Sequence, residues 1–122
     1  MPARVAVVED EQITSMELQA MLGDIGYEVA GTFSRGEEIL EHLKKNSDKV
    51  DLILMDIRLP GEVDGIETAG IIEKKYKTPV VYVTAHSDWD TLNRAKETHP
   101  RGYIIKPITE PGLRSSVEMA LE

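Results

Sequence analysis

Short apolar runs alternate with segments of helical period along the chain. Four of the runs, at residues 5–8, 52–55, 80–83 and 103–105, are continuous and largely aliphatic. Buried parallel strands have this composition, because both of their faces are covered. A fifth run, at residues 27–31, is short and alternates only weakly, as is typical of an edge strand. The pattern therefore predicts five strands, four of them buried.

The segments that follow the first two strands have the spacing of amphipathic helices. Apolar residues recur at i, i+3, i+4 and i+7 from Leu18, which predicts a helix at about residues 11–24. Ser34, followed three residues later by Glu37, forms a capping-box pattern ahead of another apolar stripe. This pattern predicts a second helix at about residues 35–45.

Polar caps mark three further helices. Asp64 can cap a third helix, Ser87 a fourth at about residues 88–98, and Thr109 a fifth. The fourth helix contains three poor helix formers, two threonines and an asparagine, and its apolar stripe is short. We therefore expect the fourth helix to be the element that moves.

Strand and helix thus alternate five times, and this order predicts a parallel sheet with helices on both faces. We expect a doubly wound α/β fold with five strands in the order 2-1-3-4-5 and five helices. The chain has no internal repeat and no low-complexity segment, so we expect one domain over residues 1–122.

Residues that can take part in phosphoryl chemistry stand at the ends of the four buried runs. Glu9 and Asp10 follow the first run, Asp56 the second, Thr84 the third, and Lys106 the fourth. Open α/β sheets carry their sites at the carboxyl ends of the strands, so these side chains should converge on one edge. Alone, each has an ordinary interpretation as a cap, a turn former or a solvated charge. Their joint placement favours a site.

Three neighbouring carboxylates need a cation. Two like charges about 4 Å apart repel by roughly 4 kcal/mol at an effective dielectric constant near 20. Glu9, Asp10 and Asp56 offer the oxygen ligands that Mg²⁺ prefers, and Mg²⁺ often combines such carboxylates with a phosphate. An Asp nucleophile attacking phosphorus would also need an ammonium and a hydroxyl around the phosphoryl oxygens, which Lys106 and Thr84 could supply.

Composition excludes several classes of protein. The formal net charge of −8 over 122 residues, with no clustering of Lys and Arg, argues against a nucleic-acid footprint. The absence of cysteine excludes a disulfide framework and a thiolate nucleophile. No apolar stretch is long enough for a membrane span, and the first residues lack a secretory signal. We expect a cytoplasmic protein that contacts neither membrane nor nucleic acid through this domain.

Five motifs, in order and over essentially the whole chain, resemble those of one family. They are Val7-Val8-Glu9-Asp10-Glu11, Leu54-Met55-Asp56-Ile57-Arg58-Leu59-Pro60, Asp64-Gly65, Val83-Thr84-Ala85 and Gly102-Tyr103-Ile104-Ile105-Lys106-Pro107. The chain is similar in these motifs to the receiver domain of two-component response regulators, whose fold is flavodoxin-like.

The resemblance implies a site with named roles. Asp56 would be the phosphoacceptor, and Mg²⁺ would be held by Glu9, Asp10, Asp56 and the backbone carbonyl of Arg58. Thr84 and Lys106 would bind the phosphoryl oxygens. Thr84 and Tyr103 would form the switch, and the peptide bond before Pro107 would be cis.

The resemblance also implies a function. The domain would take a phosphoryl group from a histidine kinase or a histidine phosphotransfer protein and change the surface formed by its fourth helix, fifth strand and fifth helix. That surface would contact a downstream protein or a fused domain, and it could support a dimer. Such a domain is not an enzyme, because it catalyses only its own phosphorylation and dephosphorylation.

The sequence departs from the usual family pattern at three places. Glu9 stands where an aspartate is commoner, so it could reach the metal through water. The loop at residues 59–65 is one residue longer than the frequent form, so the resemblance does not define the course of its backbone. Arg58 and His86 occupy variable positions beside the site, which in the family tune the phosphoryl lifetime, although either could equally be a bystander.

Other classes remain open at this point. A flavodoxin-like FMN carrier shares the architecture, but Glu9-Asp10-Glu11 replaces its phosphate loop. A phosphatase of the haloacid dehalogenase type needs a second acid where Arg58 stands. A degenerate receiver that acts only as an interaction module, or a receiver excised from a hybrid sensory protein, would share the fold.

Overall fold

The computed structural model describes residues 2–85 and 89–122, with the side chain of Trp89 left aside. Strands and helices alternate along the chain. The strands are β1 (Arg4–Val8), β2 (Glu28–Phe33), β3 (Leu52–Asp56), β4 (Val80–Thr84) and β5 (Gly102–Ile105). The helices are α1 (Gln12–Asp24), α2 (Gly36–Asn46), α3 (Gly65–Lys75), α4 (Trp89–Ala95) and α5 (Glu110–Leu121).

The five strands form one parallel sheet in the order β2-β1-β3-β4-β5, which confirms the predicted fold. Helices cover both faces of the sheet. The strand faces that carry Val5 and Val81 pack against α1 and α5, and the opposite faces pack against α2, α3 and α4. Strands β3 and β4 are therefore buried at every residue, which explains their continuous apolar runs. Strand β2 lies at an edge, as its weak pattern predicts.

Two of the predicted helix caps are present. The Asp64 carboxylate accepts a hydrogen bond from the backbone N–H of Glu67 at 2.8 Å, at the start of α3. The Thr109 hydroxyl accepts one from Gly112 N–H at 3.2 Å, at the start of α5. The expected cap at Ser87 lies outside the described residues.

The predicted capping box at Ser34 and Glu37 is wrong by one residue. The carboxylate that returns to the start of α2 belongs to Glu38, and its Oε1 accepts from the N–H of Ser34 at 2.8 Å. The helix begins at Gly36, so Glu37 turns towards the loop after β3 instead, where its Oε1 accepts from Val63 N–H at 3.3 Å. The contact between Glu37 and that loop joins residues far apart in sequence, so the local pattern could not show which of the two glutamates caps α2.

The remaining boundaries differ slightly from expectation. Strand β2 extends to Phe33, beyond the predicted end at residue 31. The fourth helix is shorter than predicted, because its last turn, Lys96–Thr98, is a 3₁₀ helix. Within the described residues, no helix is long and apolar enough to cross a membrane.

Candidate functional site

Strands β1 and β3 are neighbours, and their ends bring three carboxylates together. Val8 is paired with Met55, so Glu9 and Asp56 follow at the same edge of the sheet. One oxygen from each of Glu9, Asp10 and Asp56 lies within 4.8 Å of the others. Asp56 is 7% exposed and Glu9 is 4% exposed, whereas Asp10 faces solvent. The sequence-predicted acidic group is therefore one cluster, open on the Asp10 side.

The end of β3 is held by a close backbone contact with the start of α3. Gly65 N–H donates to the carbonyl of Ile57 at 2.9 Å. A Cβ on Gly65 would overlap the Asp56 carbonyl oxygen and would lie 2.8 Å from Ile57 Cα. Only glycine allows this approach. Arg58 N–H donates to Asp56 Oδ1 at 3.3 Å, so the same turn also orients the carboxylate.

The loop at residues 59–65 is held by α2. Leu59 is buried, and Gly61 has a φ of +101°, a conformation that favours glycine. The Glu37 carboxylate lies against Gly61 and accepts from Val63 N–H. The structure thus defines the course of the backbone in this longer loop.

Lys106 closes the site from the side of β5. Its Nζ lies 3.1 Å from Glu9 Oε1 and 3.5 Å from Glu11 Oε1. Glu9 Oε1 is buried and, apart from this ion pair, makes no hydrogen bond among the described residues. The Lys106–Pro107 peptide bond is cis, the isomer that the resemblance implies. The ammonium therefore lies against the buried acid of the cluster.

Burial and neighbouring charges shift the pKa values of both Asp56 and Lys106. Burial, together with the adjacent Glu9 carboxylate, raises the pKa of Asp56 to about 8, although Lys106 and the Arg58 N–H oppose the shift. Burial alone would lower the pKa of Lys106, but attraction to Asp56, Glu9 and Glu11 raises it above its ordinary value. The site therefore contains more negative charge than Lys106 neutralises.

Thr84 and Tyr103 lie on the side of the sheet that faces α4. Thr84 ends β4 and is fully buried, and its hydroxyl lies 3.4 Å from the Ala85 carbonyl oxygen. Tyr103 is half-buried on β5. Its ring stacks on Tyr82 of the neighbouring strand, with a centroid distance of 6.0 Å and an interplanar angle of 20°. His86 lies outside the described residues.

The residues of the site line an open cleft of about 370 Å³, bounded by Asp10, Glu11, Asp56, Arg58, Ala85 and Lys106. The cleft brings Asp56, the predicted phosphoacceptor, to the same surface as Asp10, Glu11 and Lys106. The cluster of hard oxygen donors around a partly buried acid fits a small divalent cation such as Mg²⁺.

The sequence patterns did not single out Tyr82 and Thr98, whose hydroxyl oxygens lie 2.6 Å apart beside the predicted switch residues. Tyr82 is a fully buried tyrosine two residues before Thr84 on the same strand, so it lies on the same face of the sheet. That spacing is the only signal in the sequence that could have drawn attention to it.

Comparison with known proteins identifies the class of this fold and site. The chain matches the response regulator receiver domain over residues 5–118. It is 36% identical over 120 residues to the transcriptional regulatory protein PdtaR of Mycobacterium tuberculosis, covering 98% of this chain and 57% of that protein. It is 35% identical over 108 residues to the chemotaxis protein CheY of Treponema pallidum, covering 88% of this chain and 74% of that protein.

A solved structure agrees with these relatives. The signal receiver domain of a modulated diguanylate cyclase from Desulfovibrio desulfuricans superimposes with a TM-score of 0.91 at 35% identity, covering 99% of this chain and 94% of that one. The chain belongs to the response regulator receiver domain family, whose members typically signal rather than catalyse. It spans a little over half the length of PdtaR.

Proposed function

We propose that the chain is a phosphorylation-activated switch that accepts a phosphoryl group on Asp56 in a Mg²⁺-dependent reaction. The donor would be the phosphohistidine of a histidine kinase or of a histidine phosphotransfer protein. The observation that carries this proposal is the cluster of Glu9, Asp10 and Asp56 at one edge of the sheet, with Lys106 paired to Glu9 beside Asp56.

The transfer requires a carboxylate nucleophile. An Asp56 oxygen would form a bond to phosphorus as the bond between phosphorus and the donor imidazole nitrogen breaks. A pKa of about 8 leaves Asp56 largely protonated at neutral pH, so the site needs a further positive charge to make the nucleophile. Mg²⁺, held by Glu9, Asp10, Asp56 and the Arg58 carbonyl, would supply that charge and neutralise the phosphoryl oxygens.

The chain's own residues would then respond to the new charge. Lys106 would exchange part of its contact with Glu9 for a phosphoryl oxygen, because a phosphorylated side chain carries up to about two negative charges. The Thr84 hydroxyl would turn towards the same group. The space that Thr84 leaves would allow Tyr103 to turn, and the surface of α4, β5 and α5 would change shape.

That surface would act on a downstream protein or on a fused output domain, and it could also support a dimer. PdtaR is named a transcriptional regulator, and the present chain matches only part of it. We propose a cytoplasmic signalling role without catalysis beyond self-phosphorylation and self-dephosphorylation. Arg58, which lines the cleft, and His86 would tune the lifetime of the phosphoryl group by crowding the approach of water.

Phosphorylation by a small donor tests the acceptor. Acetyl phosphate with Mg²⁺ should raise the intact mass by one phosphoryl group, and a chelator should prevent the increase. Asp56→Asn should abolish labelling, whereas Asp51→Asn, at the opposite end of β3, should keep it. Labelling that persists in Asp56→Asn would place the nucleophile elsewhere.

Binding of Mg²⁺ can be measured without phosphorylation. Millimolar Mg²⁺ should raise the melting temperature by several degrees, because it relieves repulsion among three carboxylates and binds the native state preferentially. Asp10→Asn should lose most of this shift. A melting temperature that Mg²⁺ leaves unchanged, or a full shift in Asp10→Asn, would contradict the proposed metal site.

A further inference from the structure

Tyr82 connects two parts of the proposed switch. Its side chain is fully buried, and it lies on β4 two residues before Thr84. Tyr82 is also the register partner of Tyr103 on β5, and the two rings stack. Any turn of the Tyr103 ring must therefore take place against the ring of Tyr82.

The Tyr82 hydroxyl is bonded to the end of the fourth helix. Its oxygen lies 2.6 Å from Thr98 Oγ1, and Thr98 Oγ1 donates to the Ala95 carbonyl at 2.7 Å. Because a threonine hydroxyl has one proton, which Thr98 gives to Ala95, Tyr82 must be the donor in the first bond. Burial raises the pKa of Tyr82 to about 12, so the phenol keeps this proton at neutral pH.

This bond acts on a short element. Helix α4 has only seven residues and continues into a single 3₁₀ turn that ends at Thr98, just ahead of β5. The Arg94 side chain reaches Asp64 of the α3 cap at 4.0 Å, but Arg94 is exposed and Asp64 is partly exposed, and an ion pair of this kind contributes little. Tyr82 thus provides a directional attachment between the sheet and the end of this element, made by a buried side chain to the half-buried Thr98.

We propose that Tyr82 is a positioning residue of the switch, which holds the end of α4 through Thr98 and supports the Tyr103 ring with its own. The role in signalling rests on the proposed function. One side chain would couple the position of α4 to that of Tyr103, so that the two change together.

The coupling has a direction. The bond stabilises the arrangement described here, in which Tyr103 stacks on Tyr82, relative to any arrangement in which α4 has moved away from β4. Loss of one typical hydrogen bond changes such an equilibrium by about three- to tenfold. Without the bond, a lower concentration of a phosphoryl analogue should therefore be enough to move α4.

Three substitutions test the hydrogen bond. Tyr82→Phe keeps the ring and removes only the donor, and Thr98→Val removes the acceptor at nearly constant volume, together with the bond from Thr98 to the Ala95 carbonyl. Thr98→Ser retains the hydroxyl as the matched control. Amide hydrogen exchange of residues 89–98 is measured in chelator, and beryllofluoride, a phosphoryl analogue, is titrated with Mg²⁺ while backbone amide shifts are followed.

We expect Tyr82→Phe to speed exchange in residues 89–98 and to lower the beryllofluoride midpoint, both by about three- to tenfold, and Thr98→Val to have effects at least as large. The double variant should match Thr98→Val, because that variant already lacks the bond to Tyr82, and Thr98→Ser should resemble the parent. Unchanged exchange would show that Tyr82 does not hold α4. Faster exchange with an unchanged midpoint would leave Tyr82 a structural residue and overturn its role in the switch.

A different result would contradict the proposed function itself. If the parent itself gives no shift with beryllofluoride and Mg²⁺, the phosphorylation switch is wrong, and with it the signalling role of Tyr82. The exchange measurement in chelator would still decide whether Tyr82 attaches α4 to the sheet.

Discussion

Replacing Asp56 with Asn should raise the melting temperature of the metal-free protein near pH 8 by at least about 5 °C. The folded protein raises the pKa of Asp56 to about 8 from an ordinary value of 3.8, because the carboxyl is buried beside Glu9. Ionising it in the fold is therefore unfavourable by an amount on the order of a few kcal/mol. Asparagine removes that charge and keeps nearly the same shape.

The sign of the pH dependence follows from the same shift. Between about pH 4 and pH 8 the folded protein holds a proton on Asp56 that the unfolded chain has lost, so stability falls as pH rises. The advantage of Asp56→Asn should therefore be small near pH 4 and grow to a plateau near pH 8. Asp48→Asn, on an exposed carboxylate, is the matched control. Thermal melts in chelator at several pH values measure both, and an advantage that does not grow with pH would contradict the buried-charge account.

Gly65→Ala should destabilise the fold by about 3 kcal/mol or more. The added Cβ would overlap the carbonyl oxygen of Asp56, and that oxygen belongs to the backbone, so no flexible side chain can yield. The same displacement should slow phosphorylation by acetyl phosphate, because Asp56 and the Arg58 carbonyl move together with this turn.

Gly23→Ala is the control for that substitution. A Cβ at this position on α1 meets nothing within 4 Å. Alanine in a helix is favoured over glycine by about 1 kcal/mol, so this variant should be slightly more stable than the parent. Urea denaturation measures the two variants side by side, and similar free energies of unfolding would contradict the close contact at Gly65.

The sequence predicts most of the fold because its strands and helices differ in period and in burial. Three of the four continuous runs form the buried parts of strands β1, β3 and β4, and strand β2, with its weak alternation, lies at one edge. The fourth run forms β5, which lies at the other edge of the sheet and in which only Ile104 is buried, so the prediction of a fourth buried strand is wrong. The topology then brings Glu9, Asp10, Asp56 and Lys106 to one edge of the sheet, as parallel strands require.

The details that the sequence does not contain are contacts between distant segments. Glu38 rather than Glu37 returns to the start of α2, because Glu37 contacts the loop after β3. The pairing of Lys106 with Glu9 depends on how far two long side chains reach across the sheet edge. No local pattern reports these distances, since residues far apart in sequence make them.

The switch itself is tested most directly by comparing backbone amide shifts of the free protein with those of the protein bound to beryllofluoride and Mg²⁺. We expect the largest changes around Asp56 and across residues 89–98 and 103–113, because a Thr84 and Tyr103 rearrangement would emerge on α4, β5 and the start of α5. Asp56→Asn should show none of them. Changes away from the site that appear only in α1 and α2 would contradict the assignment of the switch surface.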